Sequence, residues 1–289
     1  MAHTYNIKLG GRFTGLFVGS QGTGKTIALA SFPGPMMIYD FDGRMAPVKR
    51  FFPNRRDIEY KVVSAYDAPP GRHDVINFRQ FCDEFENLQS RCDYATVAID
   101  SITSYTATVV RYQLNKKGPS KGKKLAGFIE VPTWDEFNGE TQAVVETIEI
   151  AKILPCHVIF TAHPVDKTEI TKVQGEEVVT RKQSITAFGN KTPSFVPNYF
   201  DEIYNFIKED AGIGLDPRRF VITQAGEDVL CKTALPIPPR FESTGASFFK
   251  VLNEFLQQHD ATLAAKIEEL KRLELEKIAE SQSGAVPTA

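Results

Sequence analysis

Gly19-Ser20-Gln21-Gly22-Thr23-Gly24-Lys25-Thr26 is the stretch that most narrows what this chain can fold into. It fits G-x-x-x-x-G-K-[ST], whose glycines let the backbone turn back and bring successive N–H groups to bear on phosphate oxygens. Lys25 supplies a point charge for the β- and γ-phosphates, and Thr26 a hydroxyl ligand for Mg²⁺. The context agrees. Phe13 to Val18 reads as a buried strand running into the loop, and Lys25 to Phe32 as the helix it opens, stopped by Pro33-Gly34-Pro35. The helix start adds partial positive charge where phosphates would lie. The loop residues and the adjoining Ile27 are thus the candidate nucleotide contacts, and the chain is expected to bind a nucleoside triphosphate.

Length and charge narrow the rest. At 289 residues there is room for one large α/β domain with appendages, or two small domains. A hydrophobic fraction of 42% with 24% charged residues describes an ordinary globule with a substantial core. The net charge of −2 gives no whole-molecule attraction to polyanions, so any nucleic-acid contact must come from local patches. Cys82, Cys92, Cys156 and Cys231 lie far apart in sequence and show neither zinc spacing nor a disulfide framework, which favours a reducing, cytoplasmic setting. No secretory signal, bilayer-spanning apolar run or internal repeat is visible, so no membrane partner is expected.

Along the chain, Met36 to Asp40 reads as a second buried strand, ending in Asp40-Phe41-Asp42-Gly43-Arg44. That delivers two carboxylates to the C-terminal edge of a strand, where open α/β sheets place ligands. Ile58 to Ser64 is a third strand, Asp67 to Gly71 a loop, and Val75 to Gln89 a helix with Phe78, Phe81, Phe85 and Leu88 as its core face. Ala95 to Ile99 is a short apolar strand closed by Asp100, the residue placed for a second Mg²⁺ contact. A helix follows from Ser101 to Leu114.

Asn115 to Lys124 is crowded with lysine: Lys116, Lys117, Lys121, Lys123 and Lys124 either form a solvated linker or meet a phosphate backbone. Phe128 and Trp134 either stack on bases or anchor this loop in the core. Trp134 to Ile153 is a long helix and His157 to Thr161 a buried strand, after which His163 reaches the same sheet edge as Asp42 and Asp100. Thr168 to Val173 and Val178 to Lys182 form a β-hairpin, locally basic through Lys167, Lys172, Arg181, Lys182 and Lys191. Phe200 to Lys208 and Arg219 to Gln224 are closing strands. Phe248 to Leu256 and Leu263 to Ile278 are two C-terminal helices. The expected division is a core over 1–245, helices over 246–280 and a disordered tail over 281–289.

Together these elements resemble the RecA-type recombinase core, and most of all the small phage-encoded RecA-like ATPases described as nucleotide-binding or single-strand annealing proteins. The match rests on GSQGTGKT at Gly19 to Thr26 and YDFDGRMAPVKRF at Tyr39 to Phe51, with VAIDS from Val97 and VIFTAHP from Val158. The resemblance implies a mostly parallel sheet flanked by helices, with the sensor strand between the phosphate-loop strand and the metal-site strand. It implies ATP and Mg²⁺ as cofactors, with Thr26 and Asp100 on the metal. Asp42, one methylene shorter than the family's Glu, would orient the attacking water. His163, in place of Gln, would sense the γ-phosphate. It further implies that Asn115 to Lys124 and Asp166 to Lys191 face single-stranded DNA inside a filament or ring. A single-strand-binding protein is a further candidate partner. Lys232 and Arg240 are candidates for completing a neighbour's site.

The leading expectation is therefore an ATP-hydrolysing protein that binds single-stranded DNA and promotes recombination or annealing. Two alternatives stand beside it: a nucleotide-switched scaffold docking partners through Leu263 to Ile278, and a phosphotransferase. The second lacks an Arg-rich lid, because Arg44, Arg50, Arg55 and Arg56 sit on the wrong connection for one.

Overall fold

The computed structural model describes residues 12–66, 75–117, 124–125, 129–130, 132–173, 176–189, 191–212, 216–224, 226 and 228–283. Met1 to Gly11, the expected loop at Asp67 to Gly71, Lys121, Lys123, Phe128 and the hairpin tip at Gln174 and Gly175 lie outside them. In chain order the first elements are β1 (Thr14–Gly19), α1 (Lys25–Leu29), β2 (Met36–Asp40), α2 (Ala46–Phe51), β3 (Ile58–Ser64), β4 (Val75–Asn77) and α3 (Phe78–Asn87). Then come β5 (Thr96–Asp100), α4 (Ile102–Lys117), β6 (Lys124–Leu125), β7 (Ile129–Glu130), α5 (Trp134–Ile153), β8 (His157–Ala162), β9 (Pro164–Val173) and β10 (Glu176–Ile185). The chain closes with α6 (Thr192–Phe195), β11 (Glu202–Glu209), β12 (Arg218–Ile222), β13 (Arg240–Glu242) and α7 (Phe248–Ser283).

β2 and β5 are buried at every position, and β1 and β8 at all but their first, with none of the alternation of a half-exposed strand. Such strands need cover on both faces, as parallel sheets with flanking helices provide. Successive side chains then divide between two cores. Leu16, Val18, Met37, Tyr39, Val97, Ile99, Val158 and Phe160 face Phe81, Phe85, Tyr105, Val109, Val144 and Ile148 of α3, α4 and α5. Their neighbours Phe17, Met36, Ile38, Ala98 and Ile159 face Ala28, Leu29, Phe248 and Leu252 of α1 and α7. The strands assemble into one nine-stranded sheet, ordered β13-β12-β11-β1-β8-β5-β2-β3-β4. It is parallel from β11 to β4, with β12 and β13 antiparallel at one edge. β8 lies between β1 and β5, the expected order. This is a RecA-like phosphate-loop α/β fold.

Several expectations need correction. The helix expected from Val75 begins only at Phe78, because Asn77 caps it by accepting from the Gln80 N–H at 2.9 Å. The residues before the cap, Val75 and Ile76, instead extend the sheet alongside Val62 and Val63. α4 runs on to Lys117, through the first three residues of the expected lysine loop, since no breaker precedes Gly118-Pro119. Within that loop region Lys124 and Leu125 pair with Glu130 and Ile129. The hairpin is longer than expected, with ten residues per strand. The two expected C-terminal helices are one helix of 36 residues, for nothing between Leu256 and Leu263 breaks it, and it reaches three residues into the expected tail. Cys92 and Cys156, far apart in sequence, bring their Sγ atoms within 3.6 Å, each as a free thiol. Among the described residues no helix is long and apolar enough to cross a membrane.

The start of α7 belongs to the core. Phe248 is wholly buried against the rings of Phe17, Phe32, Tyr204, Phe206 and Phe241, and the Phe249 N–H donates to Ser31 Oγ at the end of α1. Phe248→Ala is expected to destabilise the whole protein by about 3–5 kcal/mol, read from the urea midpoint, rather than merely loosen a C-terminal appendage.

Candidate active site

The phosphate loop leaves β1 at Gly19, where a side chain has no room: a Cβ would lie 2.5 Å from the Phe206 carbonyl oxygen. Gly22 (φ 78°) and Gly24 (φ 102°) take left-handed backbone conformations that side chains resist, and Gly24 is the residue on which α1 starts. Thr23 Oγ1 donates to the Ser20 carbonyl at 2.9 Å and closes the loop internally. Lys25 lies buried across it, with Nζ 2.6 Å from the Gly19 carbonyl oxygen and 3.0 Å from that of Ser20. Burial pushes its ammonium pKa down to about 8, although Asp100 and Asp42 pull the other way.

Asp100 ends β5 beneath the loop. Thr26 Oγ1 donates to its Oδ2 at 2.7 Å and Thr161, on β8, donates to its Oδ1. Burial raises the Asp100 pKa against these two bonds, and the nearby Asp42 adds to the rise. Asp40 is also wholly buried; its Oδ1 accepts from the backbone N–H groups of Asp42 and Gly43 at 3.0 and 2.7 Å, while Oδ2 is without a hydrogen-bond partner. Burial, then Asp100, lift its pKa to about 6. Asp42 differs. Burial opposes its charge, but His163, Ser104 and Ser101 beside it prevail and hold the carboxyl below the usual range. Ser101 Oγ donates to its Oδ1 at 3.1 Å, and His163 Nε2 stands 3.8 Å from its Oδ2. The site therefore offers one ionised carboxylate at its mouth and two less readily ionised ones below.

Asp42 and Asp100, but not Asp40, face one cavity of about 340 Å³, which Gln21, Gly22, Gly24, Lys25, Thr26, Ile27 and His163 also line. Of the expected contacts, Gly19, Ser20 and Thr23 shape the loop behind that wall. The cavity also takes in Arg44, Pro47, Phe51, Arg219 and Thr244. Arg44 was set aside only as part of a lid; the turn at Gly43 (φ 69°) leads the chain from Asp42 through Arg44 toward α2, and Arg44 lines the cavity. Arg55 does stand elsewhere, tied to Asp57 at 2.6 Å and to the carbonyls of Ala30 and Phe32. Sequence reasoning missed Arg219, whose Nε approaches the Gly22 carbonyl at 3.5 Å. It comes from β12, an antiparallel strand nearly two hundred residues along the chain, and no local pattern marks it.

Mg²⁺ usually takes one or two protein oxygens and completes its octahedron with phosphates and water. Thr26 and Asp100 at the cavity floor fit that demand, and no cluster of three or more His, Cys, Asp or Glu fit to hold a metal occurs among the described residues. The candidate DNA contacts Lys116, Arg181 and Lys182 are not among the residues lining the cavity. Lys116 is exposed, with Nζ 4.6 Å from the centre of the Tyr112 ring. Lys117 ends α4, Lys124 lies in β6 and Lys172 in β9, while Arg181 and Lys182 are exposed on β10. Trp134 is 73% exposed and anchors nothing in the core. Lys232 and Arg240 make contacts within the chain, to Asp201 at 3.5 Å and Glu209 at 2.7 Å.

A family model described as an AAA domain matches residues 12–234. No curated protein matches the chain. Among solved structures, a KaiC-like protein from the hyperthermophilic archaeon Pyrococcus horikoshii OT3 is similar at 13% identity and a TM-score of 0.38, covering 73% of this chain and 77% of that one.

A triphosphate beside Lys25 favours its charged form, so above about pH 8 binding must take up the proton that the free protein has lost. Nucleotide affinity is expected to be level below about pH 7.5 and to fall by up to about tenfold per pH unit above 8. Calorimetry in two buffers of different ionisation enthalpy reads both the affinity and the proton; affinity unchanged to about pH 9.5 would contradict a depressed Lys25.

Proposed function

The chain belongs to the AAA domain family, and from that premise we propose that it hydrolyses ATP with Mg²⁺ and that its nucleotide state governs binding of single-stranded DNA, for annealing or strand exchange by several copies acting together. The family makes it a phosphate-loop nucleotide-binding ATPase; the DNA half of the reading rests on one observation. Asp42, the carboxylate at the mouth of the site, contacts His163, and the next residue, Pro164, is the first of the hairpin.

Asp42 is the group suited to the water. It is ionised, partly exposed and hydrogen-bonded by Ser101. The water oxygen attacks the γ-phosphorus, its proton passes to Asp42, and the bond from phosphorus to the bridging oxygen breaks to release ADP and inorganic phosphate. Lys25 and Arg219 hold positive charge beside the phosphates. Bound Mg²⁺, held by Thr26 and Asp100, would neutralise charge on the β- and γ-oxygens.

A shift of His163 reaches both hairpin strands. Its backbone N–H donates to Thr103 Oγ1 at 3.1 Å, and Thr103 Oγ1 donates to the Thr186 carbonyl at 2.9 Å. The Thr186 N–H returns to the His163 carbonyl at 2.7 Å. Further out, the register sets Lys182 directly opposite Lys167. Residues directly opposite in an antiparallel pair share a face of the ribbon, so the two lysines lie on one side of the hairpin. A second reading, a nucleotide-switched scaffold, draws on Ile267, Leu270 and Leu273, which are exposed in the outer part of α7.

Lys25→Ala is expected to abolish turnover. Asp42→Asn is expected to slow it by about 100-fold or more while leaving nucleotide affinity nearly intact; full turnover in that variant would remove Asp42 from the chemistry. Fluorescence anisotropy of a labelled oligonucleotide, with a slowly hydrolysed ATP analogue, is expected to show binding whose log–log salt slope is about −0.7 per phosphate contact. Replacing Arg181 and Lys182 by alanine should flatten that slope by roughly 1 to 1.5. Absence of binding at low salt in both nucleotide states would leave only the scaffold reading.

A further inference from the structure

A second cavity, of about 300 Å³, lies outside the nucleotide site. Its lining combines Trp134, Phe137, Phe188, Asn138 and Lys191. Trp134 and Phe188 are 73% and 45% exposed, and Trp134 is the most exposed large apolar side chain among the described residues. Phe137 and Phe188 lie near-parallel, with centroids 6.0 Å apart and planes at 26°. Lys191 Nζ stands 5.8 Å from the centre of the Trp134 ring. We propose that this cleft is a seat for a nucleobase of the bound strand, with Trp134 and Phe188 as stacking surfaces, Asn138 facing the base edge and Lys191 the adjoining phosphate. The inference rests on the single-stranded DNA reading above.

The chemistry of the lining selects this occupant. A nucleobase is a flat π-system with a polar edge, tethered to an anion. The cleft supplies flat rings, a side-chain amide that both donates and accepts, and an ammonium group. Its volume is at the small end of ligand pockets. The cleft also stands where both basic stretches rejoin the fold: Trp134 follows the lysine-rich segment, and Phe188 and Lys191 follow β10. Three acidic groups stand nearby. Glu136 takes the Thr133 N–H at 2.6 Å in a capping box that fixes where α5, and with it Trp134, begins. Glu140 is buried behind Gly189 with neither carboxyl oxygen hydrogen-bonded, and burial pushes its pKa up, toward the neutral form. Asp135 remains on the rim with a partner of its own.

The cleft is also wired to the nucleotide site. The Phe188 N–H donates to Thr106 Oγ1 at 3.1 Å, one turn along α4 from Thr103, which holds His163. A change at Asp42 and His163 thus bears on the backbone that carries Phe188.

Trp134 is the chain's single tryptophan, so its emission reports on this cleft alone. With the slowly hydrolysed analogue present, its fluorescence is expected to fall on titration with an oligo-dT and to stay level with an abasic strand of the same length. Anisotropy should show Trp134→Ala and Phe188→Ala binding oligo-dT about 5- to 100-fold more weakly, with Trp134→Phe near wild type and all three binding the abasic strand as wild type does. Both rings are exposed, so their truncation spares the core. If wild type binds oligo-dT but both alanine variants bind it equally well, the cleft is no base seat while the DNA reading stands. If wild type binds no strand, the DNA reading itself fails. If Trp134→Ala leaves DNA affinity unchanged but lowers the sedimentation coefficient of the DNA-free protein, the cleft is a contact between copies and the base assignment is overturned.

Discussion

The structure depends on a carboxylate drawn almost wholly out of water. Asp100 sits at the end of a central strand, buried at the wall of the nucleotide cavity, with one oxygen on Thr26 and the other on Thr161. Burying such a group alone would be prohibitive, and two hydroxyl donors make it tolerable. Those donors come from the helix after the phosphate loop and from the neighbouring strand, so three separate stretches meet on one side chain. The register of β1, β8 and β5 follows from hydrophobic pairing, but the alignment of their ends is fixed here. Each strand stops where its last residue can serve the same small volume.

The phosphate loop, both flanking elements and the strands bearing Asp40, Asp100 and His163 were legible because they are local: a glycine pattern, short runs of β-branched and aromatic residues, and a polar residue closing each run. β2 and β3 have the expected bounds. What escaped depends on distance. Arg219 meets the loop only because β12 turns back antiparallel at the sheet edge, and Arg44 only because Gly43 redirects the chain. The Cys92–Cys156 contact is likewise set by sheet order, which brings the starts of β5 and β8 side by side. The remaining misses are of boundaries. Val75 and Ile76 satisfy a helical spacing and a strand equally well, and the sheet decided. α7 has no internal stop signal, so two apolar patches read as two helices were one.

His163 illustrates how a replacement changes what a position can do. An amide there would offer a neutral hydrogen bond. An imidazole brings a flat ring, and here its Nε2 stands 3.8 Å from Asp42 Oδ2. Its backbone is at the same time part of the ladder at the hairpin root, through Thr103 and Thr186. A side-chain contact to the cavity carboxylate and backbone pairing at the hairpin root are thereby joined in one residue.

The ribbon formed by β9 and β10 is a separate two-stranded sheet beside a larger one whose own margins, β4 and β13, are only three residues each. The large sheet therefore exposes little unpaired backbone, while the ribbon's strands are ten residues long, with the Gln183 N–H on β10 donating outward to the Asp228 carbonyl at 2.9 Å. Exposed strand edges invite unrelated strands to add on, and charged residues along them are the usual deterrent. The exposed residues on this ribbon include Asp166, Arg181 and Lys182, so charges of both signs stand along strands that an unrelated chain could otherwise extend.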